Sequence, residues 1–220
     1  MTTHAETNQD SPRLELNGPV PDFEAKTTHG PIRLSEWHRD KWVVLFSHPA
    51  DFTPVCTTEF MAFAKLNDEF EKRNVKLLGN SIDSIYSHIG WVQSIKANWD
   101  VEIPFPIIAD LDMKVAKKFG MLHEASSDTA AVRAVFVIDP ERKLRAMIYY
   151  PLNVGRNMDE VLRLVDALQA ADQHGVACPA NWRPGDEAIV PPPATVADAK
   201  ARLASEEYEV TDWYFAKRSL

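Results

Sequence analysis

Trp42-Val43-Val44-Leu45-Phe46-Ser47-His48, then Pro49-Ala50-Asp51-Phe52-Thr53-Pro54-Val55, then a helical pattern from Thr57 and a second apolar run at 75–82: on this stretch the fold of the 220-residue chain turns. Residues 42–48 are mostly apolar, with β-branched and aromatic members, which predicts a buried strand. Pro49 ends it. Phe60, Phe63, Leu66 and Phe70 then recur at three- and four-residue steps, with Glu59, Lys65, Asp68 and Glu71 between them. That spacing predicts an amphipathic helix. Residues 75–82 (VKLLGNSI) predict the next strand. A helix-length crossover between two strands implies a parallel pair, the βαβ unit.

Working outward, residues 84–99 predict a helix whose apolar members are Ile89, Trp91, Val92 and Ile95. A short strand at 105–109 and a short helix at 112–119 follow. Residues 132–138 and 144–150 predict two strands, joined at Asp139-Pro140-Glu141-Arg142 by a hairpin turn. Residues 157–174 predict a long helix with Met158, Val161, Leu162, Val165 and Leu168 inward. Strands alternating with helices, plus a late hairpin, imply an α/β fold with a mixed central sheet flanked by helices. Residues 1–13 read as a disordered polar tail and 14–175 as one domain. Residues 176–220 read as a Pro-rich C-terminal arm, with a helical stretch near 195–204. The arm ends in Tyr208, Trp213, Tyr214 and Phe215, an aromatic surface that predicts dimerisation.

Composition narrows the function. Hydrophobic residues are 45% and charged residues 25%, ordinary for a soluble globular protein. Lys plus Arg is 24 and Asp plus Glu is 32, a net charge of −8. Bulk charge therefore disfavours nucleic acid and anionic membrane as partners. No apolar run approaches the roughly 20 residues of a membrane helix. The N-terminus lacks the apolar core of a secretory signal. The two cysteines, Cys56 and Cys178, stand 178 − 56 = 122 positions apart. With no export signal and so few cysteines, a reducing cytoplasm is the expected compartment. There is no C-x-x-C pair, no H-E-x-x-H and no Walker loop, so neither a metal nor a cofactor is expected.

Cys56 falls where a loop enters a helix. A helix N-terminus presents unpaired N–H groups and a partial positive charge, which favours a thiolate. Thr53 brings a hydroxyl that donates or accepts, and Pro49 and Pro54 stiffen the approach.

The stretch from His48 to Glu59 resembles the peroxidatic loop of peroxiredoxins, whose Pro-x-x-x-Thr-x-x-Cys pattern is met by Pro49, Thr53 and Cys56. Its form, SHPxDFTPVCTTE, is most similar to the one-cysteine subfamily typified by peroxiredoxin 6. Arg133, in RAVFVID, matches the family arginine that faces the cysteine. Gly155-Arg156-Asn157 resembles the family's GRN, which places Arg156 near the pocket. The resemblance runs from about residue 21 to about residue 185. It implies a thioredoxin-like fold and reduction of hydroperoxides. The Cys56 thiolate would attack a peroxide oxygen and become sulfenic acid. Cys56, Thr53, Arg133 and Pro49 are the implied catalytic set, with His48, Glu59 and Arg156 as pocket support. The family's partners would be a hydroperoxide, an external thiol reductant of thioredoxin or glutathione type, and a second copy of the chain.

Cys178 sits in Ala177-Cys178-Pro179-Ala180-Asn181-Trp182, which resembles the segment of two-cysteine peroxiredoxins that carries a resolving cysteine. The loop points to one-cysteine chemistry with an external thiol. The arm leaves Cys178 as a possible resolving cysteine. Lys41 and Ser35 occupy the places of the serine and histidine that give some subfamily members lipase activity, so that activity is not implied. A disulfide reductase would want neighbouring cysteines, whereas a holdase or peroxide relay would also keep Cys56.

Magnitudes rank the residues. A cysteine of pKa about 8.5 is ~3% thiolate at pH 7, so full ionisation raises the rate at most ~30-fold. Lowering the pKa by about 2.5 units weakens the nucleophile roughly tenfold. The larger effect must come from donors around the breaking O–O bond: Arg133, Thr53 and the helix N–H groups.

Overall fold

The computed structural model describes residues 14–127 and 129–220, so the expected polar tail, residues 1–13, lies outside the described residues. The chain forms two compact units, one ending at Met158 and one spanning Asp159–Leu220. The first contains β1 (Glu24–Thr27), β2 (Gly30–Arg33), α1 (Leu34–Trp37), β3 (Trp42–Ser47) and α2 (Pro54–Lys72). It continues through β4 (Val75–Ser81), α3 (Ile85–Trp99), β5 (Ile107–Ala109), α4 (Lys114–Lys118), β6 (Arg133–Ile138) and β7 (Leu144–Tyr150). Its seven strands form one mixed sheet in the order β2-β1-β5-β4-β3-β6-β7. The β3–α2–β4 crossover gives a parallel pair, as its length required, and β5 pairs parallel with β4. Strands β6 and β7 form the expected antiparallel hairpin. Its turn is held by Asp139 Oδ1, which accepts from the backbone N–H groups of Glu141 and Lys143.

Strand parity divides the core. Val43 and Leu45 of β3, with Ala134, Phe136 and Ile138 of β6, join Phe23, Leu34, Phe119 and Leu144 in one cluster. Phe46 points to the opposite face and meets an aromatic group of Phe60, Phe63 and Phe105, with ring centroids 4.1–5.6 Å away. Arg133, an odd-numbered residue of β6, shares parity with Val135 and Val137 and so stands opposite the Phe136 cluster. The sheet face toward α2 therefore receives its guanidinium.

Helix α2 comes close to β4 at Gly79. A Cβ built there would lie 3.2 Å from the Phe60 ring and 3.5 Å from Ile107. Phe60 is wedged among buried rings and has nowhere to retreat. Gly79→Ala is expected to cost about 1–3 kcal/mol of stability by overpacking. Urea unfolding monitored by circular dichroism checks this.

Several local expectations shift. Strand β5 starts at Ile107, and α4 is five residues long because Met113 adopts a left-handed conformation (φ 58°) before it. In α3 the buried positions are His88, Trp91 and Ile95, at spacings of three and four. Ile89 is instead 41% exposed. A polar histidine on the buried stripe is invisible to a pattern of apolar residues. The strands β1 and β2 went unread because only four residues each alternate weakly between partly buried and exposed.

The second unit holds α5 (Met158–His174) from its second residue on, then β8 (Ala188–Ile189), α6 (Val196–Leu203), β9 (Glu209–Asp212) and β10 (Phe215–Arg218). Met158, Val161 and Val165 of α5 are buried as its periodicity predicts. The three strands form a separate sheet, β8-β10-β9, where only a helical stretch was legible. Trp182 is buried and donates its Nε1–H to the Asp186 carbonyl at 3.1 Å. Trp213, Tyr214 and Phe215 stack edge to face, yet are 43%, 53% and 37% exposed. Among the described residues no helix is long and apolar enough to cross a membrane.

Candidate active site

The approach to α2 is a tight loop. Phe52 stands in the left-handed region (φ 55°), a conformation that costs a bulky residue of order 1 kcal/mol. It turns the chain so that extended Thr53 becomes the N-cap and Pro54 the first helical residue. The Phe52 ring is 59% exposed and so is not part of the core. Thr53 makes no side-chain capping bond. Its hydroxyl donates to the Ala50 carbonyl at 2.8 Å, so its lone pairs remain to accept.

Cys56 follows in the first turn of α2 and is fully buried. Its Sγ lies 3.3 Å from Arg133 Nη1, which also donates to Glu59 Oε2 at 2.7 Å. Arg133 Nε and Nη2 both donate to the Leu152 carbonyl, at 3.0 and 2.9 Å, which fixes the guanidinium plane. Glu59 is one turn after Cys56 on the same side of the helix. Its carboxylate is gripped by Arg156 through Nε–H to Oε1 (2.9 Å), Nη2–H to Oε2 (2.7 Å) and the backbone N–H to Oε1 (2.9 Å). Arg156 Nη1 donates to the carbonyls of Ser47 and Ala134, at 2.9 and 2.8 Å. Two residues 77 and 100 positions from Cys56 in sequence thus converge on it through one carboxylate.

The charges decide the character of this cluster. Both arginines and Glu59 have side chains at most 3% exposed. Burial pushes the Glu59 carboxyl up, but Arg156 and Arg133 outweigh it and hold the group below the usual carboxylate range. Two guanidiniums against one carboxylate leave 2 − 1 = +1 beside the sulfur. That net charge faces the Cys56 sulfur.

His48 and Pro49 lead into the loop. His48 is fully buried at the end of β3, and its Nε2 lies 2.8 Å from Asp51 Oδ1. Asp51 Oδ2 lies 2.8 Å from His88 Nδ1, so one carboxylate bridges two buried imidazoles. The facing atoms of the three lie within 4.8 Å of one another. Asp51 and His88 were missed, because 37 residues of sequence separate them and no spacing joins them. The available signal was the 88, 91, 95 periodicity, which puts His88 on the stripe that also carries Trp91. Trp91 donates its Nε1–H to Thr57 Oγ1 at 3.2 Å, next to Cys56. Pro49 makes no side-chain polar contact and acts by shape. Cys178 belongs to the second unit, is half-buried, and points its thiol at the Ala167 carbonyl at 3.4 Å. Both cysteines are free.

Residues 16–147 match the AhpC/TSA family, and residues 167–206 match the C-terminal domain of 1-Cys peroxiredoxin. A peroxiredoxin of Aquifex aeolicus is 58% identical over 215 residues, covering 93% of this chain and 96% of that protein. Among solved structures, a yeast mitochondrial 1-Cys peroxiredoxin superposes with a TM-score of 0.83 at 44% identity, covering 94% of this chain and all of the other (100%). A cysteine-to-serine variant of the peroxiredoxin 6 of Arenicola marina gives 0.82 at 38% identity, over 94% and 98%. The 2-Cys peroxiredoxin of Plasmodium vivax is less similar, with a TM-score of 0.73 at 32% identity over 79% of this chain and 92% of that one. The chain thus belongs to the peroxiredoxin family, in its one-cysteine, peroxiredoxin 6-like branch, and is a thiol peroxidase.

Proposed function

We propose that Cys56 reduces hydrogen peroxide and organic hydroperoxides to water and alcohols through a sulfenic acid. The observation that carries this reading is the 3.3 Å contact of Arg133 with Cys56 Sγ inside a buried cluster of net charge +1. The Cys56 thiolate forms an S–O bond to the hydroperoxide's O–H oxygen, which keeps its hydrogen in the sulfenic acid, while the O–O bond breaks with its electron pair on the departing oxygen, which takes a proton from solvent. Arg133 and the N–H groups of the first turn of α2 stabilise the charge leaving the sulfur. Thr53, whose O–H donates its hydrogen bond to the Ala50 carbonyl, accepts from the hydroperoxide O–H. Glu59 and Arg156 hold Arg133 in place. Cys56→Ser is expected to abolish peroxide consumption with a general thiol, and persisting turnover would overturn the assignment.

The sulfenic acid is resolved by an external thiol of thioredoxin or glutathione type. The related yeast protein is described as resolved through glutathione and thioredoxin systems. Burial pushes the Cys178 thiol up, against the pull of Arg163, which makes it a slow nucleophile at neutral pH. Non-reducing electrophoresis after one equivalent of peroxide separates the mechanisms. The expected result is no disulfide-linked dimer. A dimer band that disappears in Cys178→Ser would instead make Cys178 the resolving cysteine. The exposed Trp213, Tyr214 and Phe215 favour a homodimer, which sedimentation at micromolar concentration tests. The free cysteines suit a reducing compartment such as the cytoplasm.

A further inference from the structure

We infer that His88 is a positioning residue for the peroxidase reaction: as an imidazolium held between the Asp51 carboxylate and the Ile108 carbonyl, it keeps the His48 proton on Nε2 and leaves Nδ1 bare. This rests on the peroxidase reading of Cys56.

The argument is an inventory of protons. His88 Nε2 lies 3.0 Å from the Ile108 carbonyl oxygen. A carbonyl only accepts, so Nε2 carries a proton. His88 Nδ1 lies 2.8 Å from Asp51 Oδ2. An ionised carboxylate also only accepts, so Nδ1 carries a proton too, and a histidine that donates from both nitrogens is a cation. Asp51 is ionised: burial pushes its carboxyl up, but the hydrogen bonds from His48 and His88 hold it far below the usual range. His48 Nε2, 2.8 Å from Asp51 Oδ1, is then the second imidazole donor to the same carboxylate. His48 Nδ1 is buried and has no hydrogen-bond partner among the described residues. Burial lowers the affinity of His48 for a second proton, and the His88 charge adds to that, while Asp51 and Asp83 oppose it.

The arrangement bears on Cys56 through packing. The His48 ring lies 4.7 Å from the Phe60 ring and 5.1 Å from the Trp91 ring. Phe60 is four residues after Cys56 and shares its side of α2. Asp51 belongs to the loop that delivers Thr53, and its backbone N–H donates to Asp83 Oδ2 at 3.1 Å. From β6 and the segment after β7, Arg133 and Arg156 reach the neighbouring Ser47 and Glu59 and supply the remaining charge nearby. A bare Nδ1 accepts a hydrogen bond and adds no charge. A protonated one would donate, and would place a second buried imidazolium 6.1 Å from the His88 ring. His88 exchanges no proton or electron with the peroxide.

The intact, reduced protein labelled with ¹⁵N-histidine tests the proton placement directly. At pH 7, His88 is expected to show two protonated nitrogens, and His48 one protonated and one bare. A neutral His88 overturns the inference. His88→Gln keeps a donor and loses the charge that opposes a second proton on His48. His48 then takes up its second proton more readily, so the acid limb of peroxide reduction is expected to move to higher pH, with the rate above the limb within a few-fold of wild type. A purely structural role would lower the rate at every pH and leave the limb in place, which also overturns the inference. In Asp51→Asn, His88 is expected to lose one of its two nitrogen protons. These spectra decide the matter even where His88→Gln fails to fold. They are independent of turnover, so absent peroxidase activity would count against the Cys56 reading alone.

Discussion

Replacing Arg133 with alanine is expected to slow the oxidation of Cys56 by hydrogen peroxide by about 10²–10³-fold, the usual loss when one preorganised donor at a developing charge is removed. Arg133 is the side chain whose N–H lies within 3.3 Å of the sulfur. Its other bonds, to Leu152 and Glu59, keep the guanidinium from rotating away. No reorganisation is then needed as charge moves from sulfur to oxygen. Ionisation of the thiol alone offers at most ~30-fold at neutral pH, so a larger loss identifies stabilisation of the breaking O–O bond. Arg133→Lys keeps a charge but loses the planar fork, and falls between the two. Thr53→Val removes an acceptor and lowers the rate in the same direction. Stopped-flow oxidation with one equivalent of peroxide measures all three. Rates within a few-fold of wild type would remove Arg133 from the mechanism.

Glu59→Gln is expected to destabilise the protein by about 3–5 kcal/mol, because it leaves two buried guanidiniums facing a neutral amide. The cost is large because Glu59 accepts from both arginines, and neither has water as an alternative. Activity falls with it, since Arg133 loses its anchor. The pH dependence gives a second check. The folded-state Glu59 carboxyl lies below its unfolded value of 4.5, so the unfolded chain binds the extra proton first. The stability it contributes is fully present above that value and is lost as pH falls through the lowered folded value. Wild type therefore loses stability on acidification below about pH 4.5, and Glu59→Gln shows a flatter acid limb. Chemical denaturation from pH 7 to pH 3 compares the two. A loss under about 1 kcal/mol would mean that water enters the cluster.

The sequence alone determined the βαβ centre of the fold and the position of Cys56 at a helix start. Both depend on local rules: strand runs, a helical period of three and four, and prolines that end one element and open the next. The resemblance of the loop, of RAVFVID and of GRN to peroxiredoxins also pointed to Thr53, Glu59, Arg133 and Arg156. What it did not carry was how they are joined. Glu59 binds both arginines, and Arg133 shares one nitrogen between Glu59 and the sulfur. Those contacts follow from the register of β6 against β3 and from the parity that turns Arg133 toward α2. The His48–Asp51–His88 bridge was likewise hidden, since a loop residue and a helical residue meet only after α3 folds onto the sheet. The small strands β1, β2 and β8 to β10 are too short to carry a period and exist through pairing with neighbours. Local chemistry is written in residue order, whereas charge balance in a buried site depends on distances, and only the packed chain sets those.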